Sequence, residues 1–269
     1  MKVKVIGGRN NFWLWTKKDG FNLTHPPNPD SPPIDPRITL NTQAEKVTID
    51  PSKTELVIID MQNYFLSPLL GRPPESPGLE IVDKLVKQVI PVYRKVGIPV
   101  VWLGWGVKDS DLDDMAPEHR KSIGADIGPV KCEDVTLIDA GRAMMRDQWN
   151  TEFHPDLKRI AEPQDIHISK NRLSGFWGGT GIEDALRKRG ITTLLFAGEN
   201  TDQCVAGTIR DAYTKGWDCL MLSDACVTTS PNFAKKCIEF NREGGWGFVL
   251  SCKELADGVY SIDRGTQHV

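Results

Sequence analysis

No stretch of about eighteen apolar residues occurs in the chain, so no segment is suited to cross a membrane as a helix. Lysine and arginine form no block or stripe, and the formal net charge is -3; a nucleic-acid partner is not expected. The opening residues, MKVKVIGGRNNFWLW, contain no apolar run of signal-peptide length before Arg9. The location expected is cytoplasmic, with export that needs no signal peptide as the alternative. Cysteine is sparse. Cys132, Cys204, Cys219, Cys226, Cys237 and Cys252 include no C-x-x-C pair and no Cys/His cluster with zinc spacing. A chain of 269 residues has no need of a disulfide framework, so free thiols in a reducing compartment are expected, with no metal and no other cofactor.

Proline, by contrast, is abundant in one place. Residues 24–37, THPPNPDSPPIDPR, block helix and central strand alike. Residues 3–6 and 12–16 ahead of them suit short strands. Residues 1–54 are read as an N-terminal arm, packed on the rest of the chain or on a neighbouring subunit. A partly ordered tail is the alternative.

Residues 55–269 form a single domain in this reading. Short apolar runs at 56–59, 98–103, 166–169, 193–197, 219–222 and 248–250 read as strands. Between them, Leu79, Val82, Leu85, Val86, Val89 and Val92 recur at helical spacing before Gly97 stops the helix. Helices are also predicted at 181–188, 202–215, 232–243 and 253–257. Residues 104–155 read as a long irregular insertion with some helix near 139–147. Strands alternating with amphipathic helices indicate an α/β fold, a three-layer αβα sandwich around a parallel sheet.

Ligands of such sheets bind beyond the carboxyl ends of the strands, where strand order reverses. Three reactive side chains sit there: Asp60 in VIIDMQNYF, Lys170 in HISKNRLSGFW and Cys204 in GENTDQCVAGTIRDA. At the start of a helix, unpaired N–H groups and the helix dipole favour a thiolate, and a lysine nearby favours it further; a lowered Cys204 pKa is expected. Asp60 suits a general base toward that thiol, and otherwise a helix N-cap. Lys170 suits an orienting cation, and otherwise a surface lysine. The amides of Cys204 and Asn200 could receive an oxyanion, with Gly198 giving the chain freedom to turn. The other five cysteines are read as small buried residues.

The segments TELVIIDMQNYFL and ISKNRLSGFWGGTGIEDALRKRGITTLLFAGENTDQCVAGTIRDAYTKGWDCLMLSDAC resemble the isochorismatase-like hydrolases, from about residue 54 to 252. The resemblance implies a six-stranded parallel sheet, a catalytic triad at Asp60, Lys170 and Cys204, and a cis peptide at Glu199–Asn200. It implies an enzyme acting on a small molecule, and members commonly form homo-oligomers. Nicotinamidases in this family carry a D-x-H…H metal site; here residues 104–135 hold only His119 and no D-x-H, so that chemistry is not expected. Cys204 favours hydrolysis of a carbon–nitrogen bond in an amide, carbamoyl or ureido compound. The alternatives are isochorismatase activity releasing pyruvate, or a non-catalytic interaction protein. Residues placed to line a flat pocket are Asn63, Tyr64, Phe65, Trp105, Trp149, Asn150, Phe176 and Trp177, with core packing the competing role for each.

Overall fold

The computed structural model describes residues 2–124 and 139–265. Cys132, and the stretch 125–138 of the predicted insertion, lie outside the described residues.

Six strands form the parallel sheet: β6 (Thr54–Ile59), β7 (Val100–Trp105), β8 (Ile166–Lys170), β9 (Thr193–Glu199), β10 (Asp218–Val227) and β11 (Phe248–Leu250), in the order β11-β10-β9-β6-β7-β8. Their apolar character follows from being covered on both faces. All six residues of β6 are buried. Leu56 and Ile58 face one layer with Leu85, Val89 and Tyr93, while Val57 and Ile59 face the other with Ile182, Leu186 and Ile209. The three-layer architecture expected from the alternating pattern is the one observed.

The connectivity positions the site. From β6 the chain steps outward to β7 and β8, then returns to lay β9 on the other flank of β6. Strand order therefore reverses between β6 and β9, and the ends of these two strands are where a sheet of this kind places its ligand site.

Residues ahead of β6 build a second sheet of β1 (Lys4–Gly8), β2 (Asn11–Thr16), β3 (Gly20–Asn22), β4 (Ile38–Leu40) and β5 (Val47–Ile49), in the order β1-β2-β3-β5-β4. Leu23, Ile38, Leu40, Val47 and Ile49 are fully buried in the same cluster as Leu255 and Val259 of the last helix, Cys252–Gly265. Asp218 at the start of β10 holds this sheet: its carboxylate accepts from Trp13 Nε1 at 2.8 Å and lies 2.6 Å from His25 Nε2.

Two local expectations need correction. The helix expected over 79–96 runs from Pro77 to Lys95, but a wide π-type turn, Leu85–Val89, interrupts it. Pro91 has no N–H for the preceding turn, which opens there. Residues 139–147 form no helix. Gly141, Met144 and Asp147 have φ of 72°, 60° and 61°, a left-handed conformation that ends any right-handed turn.

Candidate active site

Asp60 is the first residue beyond β6. Its backbone takes a left-handed turn, φ 56°, with its N–H bound to Leu103 O at 2.8 Å. It is not a helix cap: the short helix Asn63–Leu66 begins after Gln62. Lys170 ends β8 in register with Trp105, the last residue of β7. Cys204 lies in a wide first turn, Thr201–Val205, that continues into the helix Ala206–Thr214.

These elements converge on one ammonium group. Lys170 Nζ is 3.0 Å from Asp60 Oδ2 and 3.4 Å from Cys204 Sγ. It also lies 3.8 Å from the centre of the Trp105 ring. Asp60 and Lys170 have no exposed surface, and Cys204 is 6% exposed. A lysine buried this deeply, among a carboxylate, a thiol and an aromatic face, is not the surface residue that lysines commonly are.

The backbone before Cys204 is unusual. Gly198 has φ 122°, and a Cβ there would lie 2.1 Å from Ile59 O. Glycine lets β9 press against β6 at this point. The Glu199–Asn200 peptide is cis. Asn200 O then accepts from Gln203 N and Val205 N, at 3.1 and 3.2 Å, and Asn200 Oδ1 accepts from Thr229 N at 3.2 Å.

The electrostatics of the thiol differ from the expectation. Burial pushes the Cys204 thiol up to about 12, and the Asp60 charge adds to this; Lys170 opposes both without overcoming them. Asp60 is itself raised, by burial first, against the pull of Lys170. A carboxylate whose pKa is raised is a stronger base, and it lies beside the proton to be removed.

The remaining sequence candidates separate into groups. Trp105 is in the site. Asn63 is buried, its Nδ2 donating to the backbone O of Trp149 at 2.9 Å. Tyr64 meets Phe65 edge-on at 5.1 Å, and Phe65 packs between both core layers. Asn150 accepts at Oδ1 from Met144 N, and its Nδ2 donates to Ala140 O and Arg142 O. Its amide is committed to bracing the loop. Phe176 is a core residue, 2% exposed and 6.0 Å from Trp217. Trp177 projects to solvent, 52% exposed, with the Arg172 guanidinium over its ring. Among the described residues, no group of three or more His, Cys, Asp or Glu is arranged to hold a metal ion.

Two residues were not singled out from sequence. Gln62 donates from Nε2 to Trp105 O at 2.8 Å and to Thr151 O at 2.6 Å, while its Oε1 accepts from Trp105 N at 2.8 Å. It locks the ends of β6 and β7 and the 149–151 turn together. Arg72 donates from Nε to Tyr64 O and lies over the Tyr64 ring. Neither position has a local pattern that marks it; the only signal is a buried polar Gln two residues after Asp60.

Residues 54–246 match a family model described as the isochorismatase domain. The chain is 32% identical over 226 residues to a protein named ureidoacrylate amidohydrolase RutB from Caulobacter segnis, covering 81% of this chain and 90% of that one. A RutB of the same name from Caulobacter vibrioides is 31% identical. Among solved structures, a cysteine hydrolase from Pseudomonas syringae pv. phaseolicola superposes with a TM-score of 0.66 at 19% identity, covering 85% of this chain and all of the other. N-carbamoylsarcosine amidase from Thermoplasma acidophilum gives 0.56 at 26% identity, covering 74% of this chain and 96% of that one.

Proposed function

This chain belongs to the isochorismatase family, and on that footing we propose that it is a cysteine-dependent amidohydrolase that cleaves a carbon–nitrogen bond in a small amide, carbamoyl or ureido compound. The observation that carries the reading is the meeting of Asp60, Lys170 and Cys204 within 3.4 Å of one ammonium, at three strand ends. The names of the relatives support the substrate class.

The chemistry follows from the geometry. Asp60 takes the Sγ proton as the sulfur attacks the carbonyl carbon, so no free thiolate need accumulate at a site that disfavours it. Lys170 compensates the negative charge while proton and electrons move. The carbonyl oxygen becomes an oxyanion received by the amides of Asn200 and Cys204. As the C=O bond reforms, the C–N bond breaks and Asp60 delivers its proton to the leaving nitrogen. A water molecule then attacks the thioester, losing a proton to Asp60. Collapse breaks the C–S bond, releases the acid and returns the proton to sulfur.

Trp105, Asn63 and Tyr64 are the pocket residues we favour: a flat aromatic wall and an amide suit a small planar group. Unpaired Cys204, Cys219, Cys226, Cys237 and Cys252 fit a cytoplasmic location. Phe233 and Phe240, both strongly exposed on the helix Asn232–Asn241, support assembly into a homo-oligomer.

The test is ammonia and pyruvate release from a panel of small amides, ureido acids and isochorismate, with wild type and Cys204→Ala compared. The expected result is ammonia from one amide class, lost in the variant. Pyruvate release that survives Cys204→Ala would overturn the nucleophile and identify the vinyl-ether chemistry instead.

A further inference from the structure

One carboxyl beside the site is left unused by this reaction. Glu199 ends β9, is 3% exposed and supplies the carbonyl half of the cis peptide to Asn200. Its side chain runs to the start of the helix Pro77–Lys84, where a Cβ on Gly78 would sit 2.8 Å from Oε2 and 2.4 Å from Leu66 Cδ2. Among the described residues, Glu199 Oε1 is buried without a hydrogen-bond partner. A carboxylate in such a place would leave a charged oxygen unsolvated and unpaired.

The charges acting on it are few. Asp60 opposes its ionisation, and Arg72, already bound to Tyr64 O, favours it. The helix packed against it presents Gly78; further along, Glu80 and Asp83 are exposed and Lys84 is held by Asp224 of β10. On its other flank β10 pairs with it through Val227, which does not titrate. Asp202, in the turn that follows, is bound to Thr228. Burial foremost, with Asp60 adding, brings Glu199 up to about 8.

We propose that Glu199 is a positioning residue whose buried carboxyl must stay neutral, so that negative charge can gather on the adjoining Asn200–Cys204 turn during attack. This rests on the proposed cysteine chemistry. With Glu199 neutral, the negative charge that leaves Asp60 as it takes the Sγ proton can reappear on the oxyanion, with Lys170 to balance it. With Glu199 ionised, a second anion is attached to the residue that precedes this turn, in a poorly solvated site, and disfavours that charge. The alkaline limit of the reaction then belongs to Glu199, since burial and the Asp60 charge push the Cys204 thiol upward.

The test uses Glu199→Gln, which keeps shape and neutrality but cannot ionise. Two profiles are measured from about pH 6 to about pH 10: kcat/KM for the best amide of the panel, and the rate of Cys204 alkylation by iodoacetamide, followed on the Cys204 peptide by mass spectrometry. In wild type kcat/KM should fall on the order of tenfold above about pH 8, and the rise of the alkylation rate should break to a shallower slope there. In Glu199→Gln both limits should move upward by about one pH unit or more. Alkylation needs no substrate turnover. If no amide is hydrolysed, the amidohydrolase reading fails while the alkylation profile still decides the role of Glu199. Limits at the same pH in variant and wild type would overturn the proposal, and so would a wild-type alkylation rate that climbs smoothly through this range.

Discussion

At the scale of single residues, Lys170 answers several demands with one ammonium. It neutralises Asp60, contacts Cys204 Sγ and rests on the Trp105 face, with no exposed surface of its own. A buried pair of this kind depends on both partners, since removing one strands the other without solvent. Lys170→Met should therefore lower the unfolding free energy by roughly 3–5 kcal/mol, and Asp60→Asn added to it should restore part of that loss. Urea denaturation of wild type and the two variants checks this; a double variant no more stable than Lys170→Met would show that the Asp60 charge is not what destabilises the single one. The meeting of Asp60, Lys170 and Cys204 could be anticipated from sequence because Asp60 and Lys170 close apolar runs and Cys204 opens the helix that follows a third. The state of the thiol could not. Sequence gives the helix start and the lysine, which lower a cysteine pKa, but not the burial and the Asp60 charge that raise it further. Asn150 illustrates the same limit: a polar side chain in a loop reads as a ligand contact, yet its amide is spent on three backbone groups.

At the scale of elements, the strands of the large sheet were legible because burial on both faces demands continuous apolar runs, and β11 matches its sequence reading residue for residue. The loop over 140–152 was not. Its shape comes from left-handed residues and from side-chain hydrogen bonds such as Gln62 to Thr151 O, which leave no periodicity behind. The approach of β9 to β6 lies between these cases. Gly198 marks it in sequence, but only the structure shows why no larger residue fits. A methyl group there would meet Ile59 O at 2.1 Å, with φ at 122°. Gly198→Ala should cost roughly 2–4 kcal/mol and displace the Asn200–Cys204 turn, reducing activity as well as stability. Gly244→Ala, where a Cβ meets nothing within 4 Å, is the control and should change stability by no more than about 0.5 kcal/mol. Equal melting temperatures for the two variants would show that β9 can shift away from β6 at little cost.

At the scale of the whole molecule, the first fifty residues are more than the sequence suggests. Strands of three residues, such as Gly20–Asn22 and Ile38–Leu40, are too short to display an alternating pattern, and the prolines between them argue against a sheet. Long-range partners build it instead: Phe248 under Trp13 and Phe21, and Leu40 against Gly258 of the last helix. Global stability should carry the mark of Glu199 as well. Its pKa is about 8 in the folded chain, against 4.5 for an ordinary glutamate. Between those values the folded state holds a proton that the unfolded chain has lost, so unfolding releases it. The contribution to stability is full below about pH 4.5, declines as pH rises and is gone above about pH 8, with a total on the order of a few kcal/mol. Asp60 is raised too and acts in the same direction. Asp165 and Asp224, held low despite burial by bonds that include those to Arg94 and Cys252, add stability that is lost only in acid. The difference between Glu199→Gln and wild type isolates the one group. Urea melts should show the variant gaining on wild type steadily from about pH 5 to about pH 8, then running parallel. A constant gap across that interval would mean that Glu199 keeps its charge when folded. The proton would then have to be sought on another buried group, with Asp60 the first to substitute.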